Sequence, residues 1–149
     1  MGLDMFLKRK VFIGAEYEHR KVSGSIDITI NGVSLPINFN KISYVEESAG
    51  YWRKANQIHN WFVTHVQEGK DNCEEYYVTR EQLTELRNLC LQVLETKNTK
   101  LLQPVEGFFF GGTNIDEYYF KELEYTVDII NKLDLINDNV GEYYYKSSW

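Results

Sequence analysis

Gly50-Tyr51-Trp52-Arg53-Lys54-Ala55-Asn56-Gln57-Ile58-His59-Asn60-Trp61-Phe62 is the stretch on which the fold reading turns. Its spacing predicts a helix over 51–67. At ~100° per residue, Tyr51, Trp52, Ala55, Ile58, Trp61 and Phe62 share a broad apolar arc. His59, Val63, His65 and Val66 fall inside the same arc, while Asn56, Asn60, Arg53, Thr64, Gln57 and Gln67 take the remainder. A one-sided surface helix needs an arc of ~100°, and this one spans roughly 200°. The helix is therefore expected to be enclosed between a sheet and another helix. His59 lies within the arc, between Trp52 and Val63. Its reading stays open between a core imidazole with satisfied hydrogen bonds and a general base or ligand contact at the end of a pocket. Asn56 sits beside it at the arc boundary, where its amide could fix the imidazole tautomer or meet a ligand edge. Arg53 points away from His59.

Working outward from that helix, residues 41–49 read as a short helical turn ended by Gly50. Residues 3–13 end in Val-Phe-Ile and read as a strand, and 14–21 as a loop. Ser25-Ile26-Asp27-Ile28-Thr29-Ile30 alternates with its isoleucines on one face. Asn31-Gly32 suits a type I′ turn, and Val33 to Phe39 returns as the partner strand of a hairpin. Pro36 cannot donate to a ladder, so that strand belongs at an edge.

On the other side, Glu68 to Asn72 is a loop and Glu75 to Val78 a short strand. Thr79-Arg80-Glu81-Gln82 is a capping box. The helix it opens places Leu83, Leu86, Cys90, Val93 and Leu94 on one side. Gly107-Phe108-Phe109-Phe110-Gly111-Gly112-Thr113 reads as a short buried strand ending in glycines. A helix then starts near Asn114 or Asp116 and buries Tyr119, Phe120, Leu123, Val127 and Ile130. The glycine joint reads as a strand–turn–helix link, or as backbone N–H groups aimed at an anion. No Lys-Ser/Thr follows it, and Asp116 would repel an anion, so the joint is not a recognised phosphate loop. The tail from Gly141 to Trp149 reads as a last strand whose terminal Trp docks its ring. Its tyrosines alternate between faces, so either Tyr143 and Tyr145, or Tyr144, would line a pocket. The expected architecture is a single α+β domain, 1–149, with an antiparallel sheet and an N-terminal hairpin packed against three main helices.

Composition narrows the function classes. A chain of 149 residues suits one domain with a sizeable core. It has only 2 Pro and no Ser/Gly-rich linker. Aromatic residues make up 15 %, led by 11 Tyr, whose large apolar body and polar tip suit half-buried sheets and binding surfaces. The net charge of −6 opposes nucleic-acid binding, although Lys8-Arg9-Lys10 and His19-Arg20-Lys21 are locally basic. Cys73 and Cys90 have no ligand or disulfide spacing, and Cys90 reads as a small core hydrophobe. His59 and His65 point roughly 120° apart on a helix, so they are no metal pair. HExxH, GxSxG and DxDxDG motifs are absent, and no cofactor is implied. The N-terminus does not read as a signal peptide, and no apolar run approaches the ~20 residues of a membrane span. A cytoplasmic protein without a membrane partner is expected.

The opening Met1-Gly2-Leu3-Asp4-Met5-Phe6-Leu7, the central Gly50-Tyr51-Trp52-Arg53-Lys54-Ala55-Asn56-Gln57-Ile58-His59 and the closing Glu142-Tyr143-Tyr144-Tyr145-Lys146-Ser147-Ser148-Trp149 resemble a family of small uncharacterised bacteriophage and prophage proteins. The resemblance spans the chain and carries over no functional residue. It implies an accessory protein in the cytoplasm of a bacterial host. Such proteins modulate the host or block its defences, by gripping a host protein or by sequestering or cleaving a nucleotide signal. Beside it, the residues themselves support three readings. The first is a binder, without turnover, of a nucleotide-like small molecule in an aromatic and polar pocket. The candidate residues are Trp52, Arg53, Asn56, His59, Tyr143 and Tyr145, with bases stacking on the rings and Arg53 or Lys54 meeting a phosphate. The second is a protein-interaction module, which could be homo-oligomeric, anchored by exposed Tyr and Trp. The third, which the absence of any reaction motif disfavours, is a hydrolase with His59 as base.

Overall fold

The computed structural model describes residues 2–149. In chain order the elements are β1 (Asp4–Phe12), β2 (Ile28–Ile30), β3 (Val33–Leu35), β4 (Tyr44–Arg53), α1 (Asn56–His65), β5 (Tyr76–Val78), α2 (Arg80–Thr96), α3 (Glu117–Asn131) and β6 (Gly141–Ser148). Four strands form one antiparallel sheet in the order β4-β1-β6-β5. The alternation along β1 decides the layering. Met5 and Leu7 point to one face and are fully buried, while Phe6, Lys8 and Lys10 point to the other. Register places Trp52 of β4, Tyr143 and Tyr145 of β6 and Val78 of β5 on the buried side with Met5 and Leu7. The three α-helices cover that side with Ile58, Phe62, Leu83, Leu86, Leu123 and Ile130. Among the described residues, no helix is long and apolar enough to cross a membrane. The architecture is α+β, as the sequence predicts.

Close approach of α3 to the sheet depends on Gly50, where an added Cβ would lie 2.8 Å from Ile129 Cγ2. The β1–β4 register slips between Leu7 and Lys8, so Ala49 is an extra residue in β4. The bulge bends this edge strand and resets which of its residues face outward.

The capping box forms as expected. Thr79 Oγ1 accepts from Gln82 N at 3.0 Å, and Gln82 Oε1 accepts from Thr79 N at 2.9 Å. Lys97 closes α2 in the left-handed conformation, with φ 57°. Thr79→Ala is expected to lower stability by about 1 kcal/mol, read as an earlier urea midpoint with an unchanged slope.

Several expected elements differ. Residues 41–49 are not a helical turn, because Tyr44 to Arg53 pairs with β1 on both sides of the bulge at Ala49. The helix expected over 51–67 begins only at Asn56, and Tyr51, Trp52 and Arg53 are strand. Lys54, at φ 61°, turns the chain between the two. The expected buried strand at 107–113 is an irregular loop, with Phe108 96 % exposed. The Asn31-Gly32 hairpin forms, with φ 50° and 79° at its turn. It is a separate two-stranded ribbon, however, and leaves Ile30, Val33 and Leu35 exposed. Pro36 falls just beyond β3. Trp149 docks through its indole N–H on Asp71 Oδ1 at 3.0 Å, with its ring edge-on to Phe110 and partly exposed.

Candidate functional site

The structure buries five of the six candidate residues, His59 and Tyr145 within one polar chain and Trp52, Asn56 and Tyr143 outside it, and leaves Arg53 on the surface. α1 carries His59 into the core with only 1 % exposure. Its Nδ1 lies 2.7 Å from the Tyr145 hydroxyl and its Nε2 lies 3.0 Å from Asp71 Oδ2. A carboxylate only accepts, so Nε2 carries the proton and Nδ1 accepts from Tyr145. Asp71 is shared with the Trp149 indole. One hydrogen-bonded chain therefore ties α1, the loop after it, β6 and the C-terminal residue. Tyr145 is fully buried and stacks on Phe62 with 3.9 Å between centroids. Burial pushes its hydroxyl well above the usual tyrosine range, so it stays protonated.

Trp52 is also in the core, its Nε1 donating to Thr126 Oγ1 at 2.9 Å. Asn56 does not touch His59's ring nitrogens. Its Nδ2 donates to the carbonyls of Phe110 and Gly112, at 3.1 and 2.9 Å, and its Oδ1 accepts from Val105 N at 3.1 Å. It staples the 104–113 loop to the start of α1. Tyr143 is buried further along β6, near Asp138 and Arg9. Arg53 lies on the opposite face of the sheet, 4.0 Å from Asp4 Oδ1 and largely exposed. His59 and Tyr145 are thus brought together, Trp52 joins them through Phe62, and Arg53 and Tyr143 are held apart from that group.

The uncovered face of the sheet holds what the sequence reading missed. Phe6 and Tyr51, Phe12 and Tyr44, and Tyr77 and Tyr144 meet across neighbouring strands, with centroids 5.5, 5.0 and 5.7 Å apart. Tyr44, Tyr51 and Tyr77 are exposed at 53, 40 and 49 %. Between them Lys8 bonds Glu46 at 2.9 Å, and Lys10 bonds Glu75 while lying 4.6 Å from the centre of the Tyr144 ring. The Tyr51 hydroxyl is raised above its usual range, mainly by its bond to Asp4. Tyr144 is pushed up to about 12 by burial and by its bond to Glu142. A period-2 reading of 44–53 was the available signal: Tyr44, Glu46 and Ser48 share a face, and after the bulge so do Tyr51 and Arg53.

Concave surface lies elsewhere. Clefts of about 580, 630 and 550 Å³ surround the 132–140 loop. The first contains Arg9 and Tyr143, but Arg9 is already held by Asp138 and Glu47. A smaller cleft of about 260 Å³ lies between Lys54, Gln57, Gly111, Asp116 and Glu122. Among the described residues, no group of three or more His, Cys, Asp or Glu is arranged to hold a metal ion. Cys90 is fully buried, and burial pushes its thiol up to about 12.

Comparison with protein-family models, with curated proteins and with solved structures finds no match to this chain.

Proposed function

We propose that this chain is a small phage-encoded accessory protein that grips a host protein, without turnover, through the open face of its sheet. The observation that carries the reading is the set of three cross-strand aromatic pairs on a face that no helix covers. Tyrosine supplies large contact area at low entropic cost, and half-exposed tyrosines are typical anchors of protein interfaces. The outer edge of β4 adds unpaired backbone, since its ladder runs only to β1. The rings expected to stack a nucleotide, on Trp52, Tyr143 and Tyr145, are turned into the core. That weighs toward a protein and away from a nucleotide-like ligand.

Charge on this face favours a protein over a nucleic acid. Lys8, Lys10, Arg53 and Lys146 are balanced by Asp4, Glu46, Glu75 and Glu142, so a phosphate backbone would meet no net attraction. The resemblance to phage and prophage proteins supports a bacterial host as the source of the partner.

The test compares wild type with the triple variant Tyr44→Ala/Tyr51→Ala/Tyr77→Ala. Both are used to capture proteins from bacterial lysate, and the captured partner is then titrated in pure form. The variant is expected to unfold as cooperatively as wild type, because all three rings are half exposed. It should bind the partner at least about tenfold more weakly. Equal affinity of the two proteins would sink the proposal.

A further inference from the structure

The small cleft between α1, the 104–116 loop and α3 carries an inference independent of the sheet face. Three local facts build it. Lys54 stands in the left-handed conformation at φ 61°, which non-glycine residues adopt only when their surroundings hold them there. Its stem lies against Gly111, where an added Cβ would sit 3.2 Å from Lys54 Cβ. Gly111 itself has φ 86°, a conformation that residues with a Cβ adopt only under strain. Lys54 forms no ion pair among the described residues, although it lines a cleft that also contains Asp116 and Glu122.

Gln57, one turn into α1, is 3 % exposed. Its Nε2 donates to Glu122 Oε2 at 2.7 Å. A carboxylate accepts only, so the amide orientation is settled, and the carbonyl oxygen of Gln57, which lines the cleft, accepts no side-chain hydrogen bond among the described residues. Burial raises Glu122 above the usual carboxylate range, against the opposing effect of its Gln57 bond. Asp116 uses Oδ1 to cap α3, accepting from Tyr118 N at 3.0 Å and Tyr119 N at 3.2 Å. Its other oxygen has no partner among the described residues. The N-terminus of α3 is therefore filled by the protein's own carboxylate, and an anion has no place there.

We propose that this cleft binds a small zwitterion of the α-amino acid class, with its ammonium on Glu122, Gln57 and Asp116 and its carboxylate on Lys54. A primary ammonium has three N–H donors, and the residues lining the cleft supply three acceptor oxygens: one of Glu122, the Gln57 carbonyl and the Asp116 oxygen not used in capping. A diamine would set a like charge beside Lys54. A free phosphate would face both carboxylates. The volume of about 260 Å³ lies just below the roughly 300–1,000 Å³ of drug-sized ligand sites, which restricts the cleft to a molecule as small as an amino acid.

The experiment titrates the full chain with each common α-amino acid, following thermal unfolding and then calorimetry. Any amino acid that binds is compared with its carboxyl-free amine and its amine-free acid. At least one amino acid is expected to raise the unfolding temperature, with both truncated forms much weaker. Glu122→Gln and Lys54→Met should each weaken binding about tenfold or more, the usual loss with a charge-assisted hydrogen bond. Met is as strained as Lys at the left-handed position, so Lys54→Met keeps the fold even if Glu122→Gln does not. Absence of binding by every amino acid overturns the proposal. So does unchanged affinity in Lys54→Met, or a carboxyl-free amine that binds as tightly as its parent.

Discussion

Replacing His59 with alanine lowers the unfolding free energy by at least about 4 kcal/mol. The expectation follows from what the ring touches. Its removal empties a site that is 1 % exposed and packed edge-on against Phe110, with 5.0 Å between centroids. A buried aromatic-to-alanine change costs about 3–5 kcal/mol when the cavity does not collapse. The polar consequences add to this. Tyr145, fully buried, loses the acceptor for its hydroxyl, and Asp71 loses one of its donors. An orphaned buried hydroxyl costs about 1–3 kcal/mol. The indole of Trp149 is held by the same carboxylate, so the C-terminal end of β6 should loosen as well. Urea denaturation measures the first effect, and fluorescence of a Trp52→Phe/Trp61→Phe background, in which Trp149 is the remaining tryptophan, reports the second. A His59→Ala protein with wild-type stability would mean that the Asp71–His59–Tyr145 chain is not what ties α1 to β6. The geometry fits the core reading of His59: its one lone pair is taken up by the Tyr145 hydroxyl, and no cleft described above reaches it.

Elements marked by local chemistry were legible in the sequence. Thr79 and Gln82 form the predicted box, Asn31-Gly32 makes its turn, and α3 starts at the second of its two expected positions, with Asp116 as cap, because each depends on atoms within a few residues. Tyr143 and Tyr145 share the buried face of β6 because alternation alone requires it. The boundary at 51–56 was not legible. Trp52 and Ala55 lie on the same helical arc as Ile58 and Phe62, yet Trp52 also alternates with Tyr51 and Arg53 as a strand does. Only pairing with β1, more than forty positions away in the chain, chooses between the two periods. The phenylalanines at 108–110 fail for a related reason. Their composition is that of a buried strand, but β4 and β5 already occupy the sheet edges and the helices occupy its inner face. Phe109 O meets the residue before β1, accepting from Leu3 N at 2.9 Å. The candidate site suffered most, because an aromatic-rich sequence does not say which face of a sheet receives the helices. The helices cover the face of Trp52, Tyr143 and Tyr145, and the tyrosines left open are those one residue out of phase. The same is true of Gln57, whose functional interest depends on Glu122, far along the chain.

Asp138→Asn destabilises the protein by about 3 kcal/mol at neutral pH, and the deficit shrinks in acid. Arg9 grips this carboxylate at both oxygens, Nε to Oδ2 at 2.6 Å and Nη2 to Oδ1 at 2.9 Å. Gly141 N donates to Oδ1 at 2.9 Å, and the Tyr143 hydroxyl donates to Oδ2 at 3.2 Å. The side chain is only 8 % exposed. The knot joins β1 to the loop that leads into β6, and Gly141 is needed beside it, since any Cβ there would meet both Arg9 and Asp138. Breaking one partner of a buried pair costs about 3–5 kcal/mol, and the partial exposure of Arg9 puts this case at the low end. Asn keeps the shape but cannot take a two-pronged guanidinium as a charged acceptor. The bond from Arg9 is the main reason that the Asp138 carboxyl is held well below the usual carboxylate range, against the opposing effect of burial. A depressed folded value fixes the sign. The contribution of Asp138 is fully present above the ordinary carboxylate value of about 3.9 and is lost progressively as pH falls from there toward the folded value. Wild type should therefore lose stability on acidification more steeply than Asp138→Asn, which has no such group to protonate. Urea midpoints at about pH 7 and about pH 3 for the two proteins measure the difference. A gap of constant size at both values would show that the charge on Asp138 contributes nothing beyond its shape, and the role of Arg9 in holding β1 to β6 would then fall to packing alone.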